Sequence, residues 1–291
     1  MSGIKETGGV AATPSQHSSE REFLFTERDF KRIRDKLYDY AGIALSDYKK
    51  DMAYNRLVRR LRELKLNSFR EYFEYLDQEP DEFSMFINSM TTNLTAFFRE
   101  KHHFDFLAQE IIPGIDREGG RRMRVWSAGC SMGEEPYSLA MTMRSGPVNT
   151  DSWDMKILAT DIDSKVLDCG QAGIYSRERI EGLEPEVRNR WFLKGKGKHH
   201  GQVKARRELQ QMISFRELNL MHNWPIKGPL DVIFCRNVMI YFDHPTQARL
   251  LDRMADLLKP NGYLFVGHSE SPFRLTDRFK LVGKTIYRKV D

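Results

Sequence analysis

Apolar positions recur at helical spacing from Thr26 onward. Phe30, Ile33, Leu37 and Tyr40 fall on one face, Thr26 with Asp29 has the form of a capping box, and Gly42 ends the run. A second helix is predicted over about 50–64, with Met52, Leu57, Leu61 and Leu64 inward. A third opens at Ser68, with Glu71 three residues on, and carries Phe69, Tyr72, Phe73 and Leu76. A fourth follows Pro80, with Phe83, Phe86, Ile87 and Met90 inward. Together they predict an all-helical domain over 22–90 built from local contacts. Residues 91–112 read as a linker, Thr91 to Arg99, and a connecting helix from His102 to Ile112 that leads out through Pro113 and Gly114.

The period then changes. Short strand-like runs at 124–126, 155–160, 214–220, 230–235 and 263–266 alternate with helical patterns at 137–143, 165–172 and 247–258. This alternation predicts an α/β catalytic domain over 113–291 with a parallel sheet. Phe279 to Val282 and Thr285 to Arg288 close it as an antiparallel hairpin through Gly283-Lys284. The rhythm breaks between about 176 and 215. There 177–192 reads as helical, Lys194 to Gly201 as a basic turn, and Val203 to Phe215 as loosely alternating strands, which predicts a small β insertion. Residues 1–21 are rich in Ser, Gly and Thr and are expected to form a disordered tail.

Composition narrows the class. The 291 residues are 40% hydrophobic and 30% charged, which suits a soluble globular chain long enough for one large or two ordinary domains. No apolar run approaches the ~20 residues that span a bilayer, and no apolar segment follows Lys5 to make a secretory signal. Three scattered cysteines exclude a disulfide framework, so the expected compartment is the cytoplasm. The net charge of +5 admits either a nucleic-acid or an acidic protein partner. Its distribution is uneven: Lys49, Lys50, Arg56, Arg59, Arg60, Arg62 and Lys65 crowd the second helix beside only Asp51 and Glu63. That face is either a docking surface for an acidic partner or a solvated helix side.

The candidate chemistry centres on Arg124 to Ser138. An apolar strand end, a small-residue turn through Ala128, Gly129, Ser131 and Gly133, and a helix start at Glu134-Glu135-Pro136 form a nucleotide-binding corner. Two carboxylates at the helix start would repel a pyrophosphate and attract a ligand bearing an ammonium and a sulfonium, which points to S-adenosylmethionine. The plainer alternative is a turn whose acids merely complement the helix dipole. Asp161, at the end of the next strand, stands where such folds hold a ribose. Arg236 and Asn237 are delivered to the end of a later strand. In the linker, Asn93, Thr95 and Arg99 can face a ligand while Leu94, Phe97 and Phe98 anchor it; alternatively Thr95 caps a helix. The histidines lack metal-ligand spacing, so no metal is expected.

Four motifs in order make a specific likeness. Met90-Thr-Thr-Asn-Leu-Thr-Ala-Phe-Phe-Arg-Glu100, Trp126-Ser-Ala-Gly-Cys-Ser-Met-Gly-Glu-Glu-Pro-Tyr-Ser138, Ala159-Thr-Asp-Ile-Asp163 and Phe234-Cys-Arg-Asn-Val-Met-Ile-Tyr-Phe242 resemble the CheR-type chemotaxis receptor glutamate methyltransferases. Leu258 to Glu270 fits the same pattern. The resemblance implies a class I S-adenosylmethionine-dependent methyltransferase fold, a Rossmann-like sheet with an antiparallel C-terminal hairpin behind a helical domain. It implies methyl transfer to glutamate side chains of methyl-accepting chemotaxis receptors by a monomer, without nucleic acid or membrane insertion. It further implies cofactor contacts from Asn93, Thr95, Arg99, Glu134, Glu135, Asp161, Asn219, Leu220, Arg236 and Asn237, with Glu135 favoured for the methionine ammonium and Tyr241 beside the transferred methyl. In the family the β insertion docks a short peptide at the C-terminus of some receptors; the residues of Gly195 to Gly201 do not by themselves extend that to this chain.

The mechanism follows from simple acid–base chemistry. A glutamate with a pKa near 4.3 is more than ~99% ionised at neutral pH, so the nucleophile needs no general base. The task is to bring carboxylate and methyl into line. Arg99 or Arg236 is expected to position the carboxylate, unless each pairs with the cofactor carboxylate or Asp161, and Tyr241 to pack by the methyl. Arg56, Arg59, Arg60 and Arg62 are expected to meet the acidic receptor. The alternatives are a nucleic-acid methyltransferase, which Arg236-Asn237-Val238-Met239 disfavours by lacking the prolines that receive a flipped base, and a regulatory module that binds the cofactor without transfer.

Overall fold

The computed structural model describes residues 21–290, so the tail expected over 1–21 lies almost wholly outside the described residues. Four helices come first: α1 (Glu27–Ala41), α2 (Lys50–Leu64), α3 (Phe69–Gln78) and α4 (Pro80–Met90). Thr26 and Asp29 form the reciprocal capping box, and Gly42, at φ +69°, ends α1 by donating to Tyr38 O at 2.8 Å. Ser68 caps α3 through the Glu71 N–H, and Pro80 occupies the first turn of α4, where its missing N–H is not needed. Ile33, Leu37, Leu57, Leu61, Phe73 and Phe86 pack into a core belonging to these helices. In α2 the buried stripe is Ala53, Tyr54, Leu57, Val58 and Leu61; Met52 and Leu64, expected inward, are half-buried at its margins.

The connecting helix is longer and less regular than its sequence suggests. α5 (His102–Phe106) and α6 (Ile112–Arg117) flank a π-turn at Leu107–Ile111, in which the Ile112 N–H reaches back to Leu107 O. Pro113 and Gly114 therefore lie inside the first turn of α6 rather than beyond the helix end. Proline is tolerated there because the wider turn has already interrupted the regular hydrogen-bond ladder.

The second body begins with β1 (Arg122–Ala128), α7 (Glu134–Ser145), β2 (Asp154–Asp161) and α8 (Ser164–Ala172). An insertion follows, β3 (Ile174–Ser176), α9 (Pro185–Trp191), β4 (Phe192–Lys194), β5 (Gln202–Ala205) and α10 (Arg207–Gln210). The chain then completes the sheet with β6 (Ile213–Glu217), β7 (Leu230–Cys235), α11 (His244–Leu257), β8 (Leu258–Val266), β9 (Phe279–Gly283) and β10 (Ile286–Lys289). The sheet has seven strands in the order β6-β2-β1-β7-β8-β10-β9. The first five are parallel, and the closing hairpin is antiparallel. All six residues of β7 are buried; five are apolar, as in a strand covered on both faces, and the sixth, Asp231, accepts from the Arg124 N–H at 2.7 Å and pairs with Lys259 at 2.7 Å.

Two expectations shift. The insertion is an antiparallel sheet, β3-β5-β4, and the alternating stretch 203–215 is divided between two sheets, because β6 pairs with β2 from Ile213 onward. The helix expected over 177–192 is a 3-10 turn at Arg177–Ile180 followed by α9. Lys259 to Gly262, between the helix and the strand read from the sequence, forms a bulge inside β8: Leu258 pairs with Leu230 and Tyr263 with Val232. Between β1 and β7 the chain leaves the sheet in opposite directions, which opens a crevice at the carboxyl ends of the strands.

Candidate functional site

That crevice deepens into a cavity. Its floor is the strand ends carrying Gly129, Ser131, Asp161, Arg236 and Asn237; the linker from Thr91 to Arg99 makes one wall; Ala41, Ile43, Leu45, Lys49 and Met52, from the end of α1 to the start of α2, make the roof. Gly129, at φ +79°, is the tightest point of the floor, since a Cβ there would lie 2.3 Å from Val238 Cγ2.

The two acids of α7 separate. Glu135 lines the cavity. Its carboxylate accepts from Ser127 Oγ at 2.7 Å and Arg236 Nη1 at 3.0 Å. Burial raises its pKa, against the pull of Arg236. Glu134 is fully buried, with Arg179 Nη1 3.2 Å away and no hydrogen bond to either carboxylate oxygen. It does not line the cavity, so the cofactor contact expected of it gives way to a tie between α7 and the insertion. Successive helical residues point about 100° apart, so Glu135 is turned to the cavity while Glu134 is turned toward Arg179.

Asp161 is buried at the end of β2, where its carboxylate accepts from the Ser131 N–H at 2.8 Å and the Asp163 N–H at 3.0 Å. Burial nevertheless pushes its pKa up to about 6. Asp163, which the sequence reading did not single out, caps α8 with one oxygen and pins the linker with the other, accepting from Thr91 Oγ1 at 2.8 Å and Asn93 Nδ2 at 2.9 Å. Asn93 thus lies on the wall with its amide already engaged. Thr95 also lines the cavity but caps no helix; its carbonyl accepts from Arg179 at 3.1 Å. Arg99 lines the cavity and folds back to donate to Leu94 O at 2.9 Å. Across the cavity, Asn219 and Leu220 stand beyond β6, with the Asn219 amide donating to Tyr40 O at 2.7 Å.

Arg236 is committed elsewhere than expected. Besides Glu135, its guanidinium lies 3.4 Å from Glu100 and donates to Arg99 O. It neither pairs with Asp161 nor stands free for an incoming carboxylate. Glu100 carries a pKa below the usual carboxylate range although burial alone would raise it, because Arg236 and His268 favour the ion. The backbone beyond Arg236 is held by another residue without an assigned role, Glu270. Buried at 6% exposure, it accepts from the Asn237, Val238, Ile240 and Gly267 N–H groups at 2.6–3.2 Å. This lets Asn237 adopt φ +59° and places Tyr241 on the cavity wall. The Tyr241 carbonyl accepts from the Ala44 N–H at 2.8 Å, and Lys49 Nζ lies 5.5 Å from its ring.

Glu100, His102 and His103 bring ligand-capable atoms within 4.8 Å of one another, a juxtaposition that sequence spacing hid. Arg236 at the same carboxylate opposes a second cation, and Nε2 of each histidine lies within hydrogen-bond distance of Lys284 O. The buried thiols of Cys130 and Cys235 are pushed well above their ordinary pKa, so neither supplies a thiolate at neutral pH.

The basic face of α2 is largely paired. Arg56 donates to Met90 O, Thr91 O and Thr92 Oγ1 at 2.7–2.9 Å, and Arg60 grips buried Glu82 through Nε at 3.0 Å and Nη2 at 2.5 Å. These two serve the fold rather than a docking surface, because helical phase turns them toward α4 and the linker. Arg62 pairs with Glu22 yet stays 60% exposed, and Arg59 is exposed with no ion-pair partner among the described residues.

Both bodies of the chain match described protein families. Residues 93–288 match the family model described as CheR methyltransferase, SAM binding domain, and residues 28–91 match CheR methyltransferase, all-alpha domain. Chemotaxis protein methyltransferase 2 of Pseudomonas aeruginosa is 48% identical over 277 residues, covering 95% of this chain and 98% of the relative. The chemotaxis protein methyltransferase of Escherichia coli is 48% identical over 265 residues, covering 90% and 91%. A cavity at the sheet's switch point, roofed by the helical body and matched across both by family models, leads to one conclusion: the chain belongs to the CheR methyltransferase family.

Proposed function

We propose that the protein transfers methyl groups from S-adenosylmethionine to glutamate side chains on the cytoplasmic helices of chemoreceptors, leaving glutamyl methyl esters and S-adenosylhomocysteine. The observation that carries this reading is the pair of carboxylates in the cavity, buried Asp161 and partly buried Glu135, set at a strand end and a helix start with Tyr241 on the wall. Its donor set suits the cofactor. Glu135 keeps unshared lone pairs for an ammonium, Asp161 can accept from ribose hydroxyls, and Asn219 with Leu220 can border the adenine. S-adenosylmethionine supplies a methyl on a cationic sulfur.

The protein's part is alignment. Attack by the acceptor oxygen forms an O–CH3 bond as the S–CH3 bond breaks, sulfur keeps the electron pair, and two opposite charges disappear. Strong stabilisation of separated charge at the reacting atoms would therefore slow the step. Arg99, on the linker wall, is assigned the incoming carboxylate, and Tyr241 packs beside the methyl. Arg236 is assigned a positioning role, holding Glu135. The exposed edge of α2, Arg59 and Arg62, remains the part of the basic face available to an acidic receptor helix.

The test is incubation with methyl-labelled cofactor and a receptor cytoplasmic fragment. Base-labile label on the receptor is expected. Label on added nucleic acid, or none on either, would sink the reading.

A further inference from the structure

Resting on that reading, a second surface acquires a role. Beside the cavity runs an open groove lined in part by Ile240, His244, Glu270, Phe273 and Arg274. Ile240 lines both the groove and the cavity, one residue before Tyr241. Phe273 is 72% exposed and Ile240 49% exposed. A single exposed apolar residue needs no explanation, but this ring is held in place. The Phe273 N–H bonds to Ser271 Oγ at 3.2 Å, the Leu275 and Thr276 N–H groups return to Pro272 O at 3.0 and 3.3 Å, and Thr276 Oγ1 donates to Asp252 at 2.9 Å. The Arg274 guanidinium lies 5.2 Å from the Phe273 ring centroid. Glu270, the carboxylate in this lining, is turned onto backbone N–H groups. The groove thus presents two exposed apolar side chains, Ile240 and Phe273, beside the Arg274 cation and polar groups such as His244, and it adjoins the cavity wall on which Tyr241 is assigned to the transferred methyl.

We infer that this groove seats the flanking turns of the substrate helix. Residues three, four and seven positions from a helical glutamate share its face. When the glutamate enters beside Tyr241, one or two turns of its helix lie along Ile240 and Phe273. The occupant is therefore an amphipathic receptor helix with an apolar residue one or two turns from the acceptor, and with a second acid that meets Arg274. The groove selects which glutamate is presented, by what stands next to it on the helix.

The test is steady-state methylation of a receptor cytoplasmic fragment by Phe273→Glu and Arg274→Glu, with calorimetric binding of S-adenosylhomocysteine as the check on fold and cofactor site. Phe273→Glu is expected to raise KM for the fragment about tenfold, with kcat and product affinity within about twofold of wild type. Arg274→Glu is expected to give a smaller rise that narrows as salt is added. Unchanged KM in Phe273→Glu, with product binding intact, overturns the groove assignment and leaves the proposed function standing. Failure of the wild-type protein to methylate the fragment removes the proposed function, and this inference with it.

Discussion

Asp161 accepts two backbone N–H groups, yet its buried carboxyl titrates at about 6. In the proposed function ribose hydroxyls would donate to the ionised form, so ligand binding would draw that pKa down. Affinity for S-adenosylhomocysteine is therefore expected to rise with pH through about 6 and to level off above it, a dependence that calorimetry between about pH 5 and 7.5 measures. Glu135, shifted in the same direction by burial, adds to the loss on the acid side. In Asp161→Asn the step near 6 is expected to vanish and affinity to fall. The same shift bears on folding: the raised carboxyl weakens the unliganded protein as pH climbs from its ordinary 3.8 to about 6, with no further change above. Part of this scale is legible in the sequence, because Glu135 and Asp161 stand at a helix start and a strand end that periodicity locates, whereas Asn219 follows only from the family resemblance. Asp163, Glu270 and Glu100 are not legible as contacts. Their partners are a threonine and an asparagine side chain, backbone amides or an arginine from distant segments, and no spacing rule joins Asp163 to Thr91, Glu270 to Asn237 or Glu100 to Arg236.

At the scale of elements, α2 does more than present charge. Arg56 reaches across to three oxygens at the start of the linker, Met90 O, Thr91 O and Thr92 Oγ1, and so fixes where Asn93 to Arg99 run along the cavity. Hydrogen bonds from a charged group to partly buried acceptors contribute roughly 1.5–3 kcal/mol. Arg56→Ala is expected to lower the melting temperature modestly and weaken product binding about tenfold through a loosened linker wall; calorimetry and thermal unfolding read the two effects separately. Product affinity equal to wild type would show that the linker holds its course without the arginine. Seven-position and two-position patterns cannot tell such a residue from a surface cation, since both have long charged side chains on a polar helix side. The insertion shows a related limit. Short strands such as Ile174–Ser176 and Phe192–Lys194 have too few residues to establish an alternation, and the chain crosses from one sheet to the other without a change in composition.

For the whole molecule, the two bodies have separate cores, and the cavity lies between them. Direct ties across the divide include Asn219 to Tyr40 O, Ala44 to Tyr241 O and the Tyr38 hydroxyl to Asp243, each at 2.7–2.8 Å. A ligand touching roof and floor adds to these ties only in the folded, closed arrangement. Saturation with S-adenosylhomocysteine at 100 times its Kd is expected to stabilise the protein by about 2.7 kcal/mol. Scanning calorimetry should show a broad or split transition without ligand becoming one sharp transition with it. Two unchanged transitions would mean that the helical body takes no part in holding the ligand. The overall plan is the most legible level of all, because helical spacing before residue 90 and strand–helix alternation after it are separated by a change of period.

The roof has a kinetic consequence. A molecule seated between the strand ends and the residues from the end of α1 to the start of α2 touches both bodies at once. If release tilts the helical body away from the sheet, the hydrogen bonds at Tyr40 and Ala44 break with it. Weakening either bond would then quicken the exchange of spent cofactor for fresh.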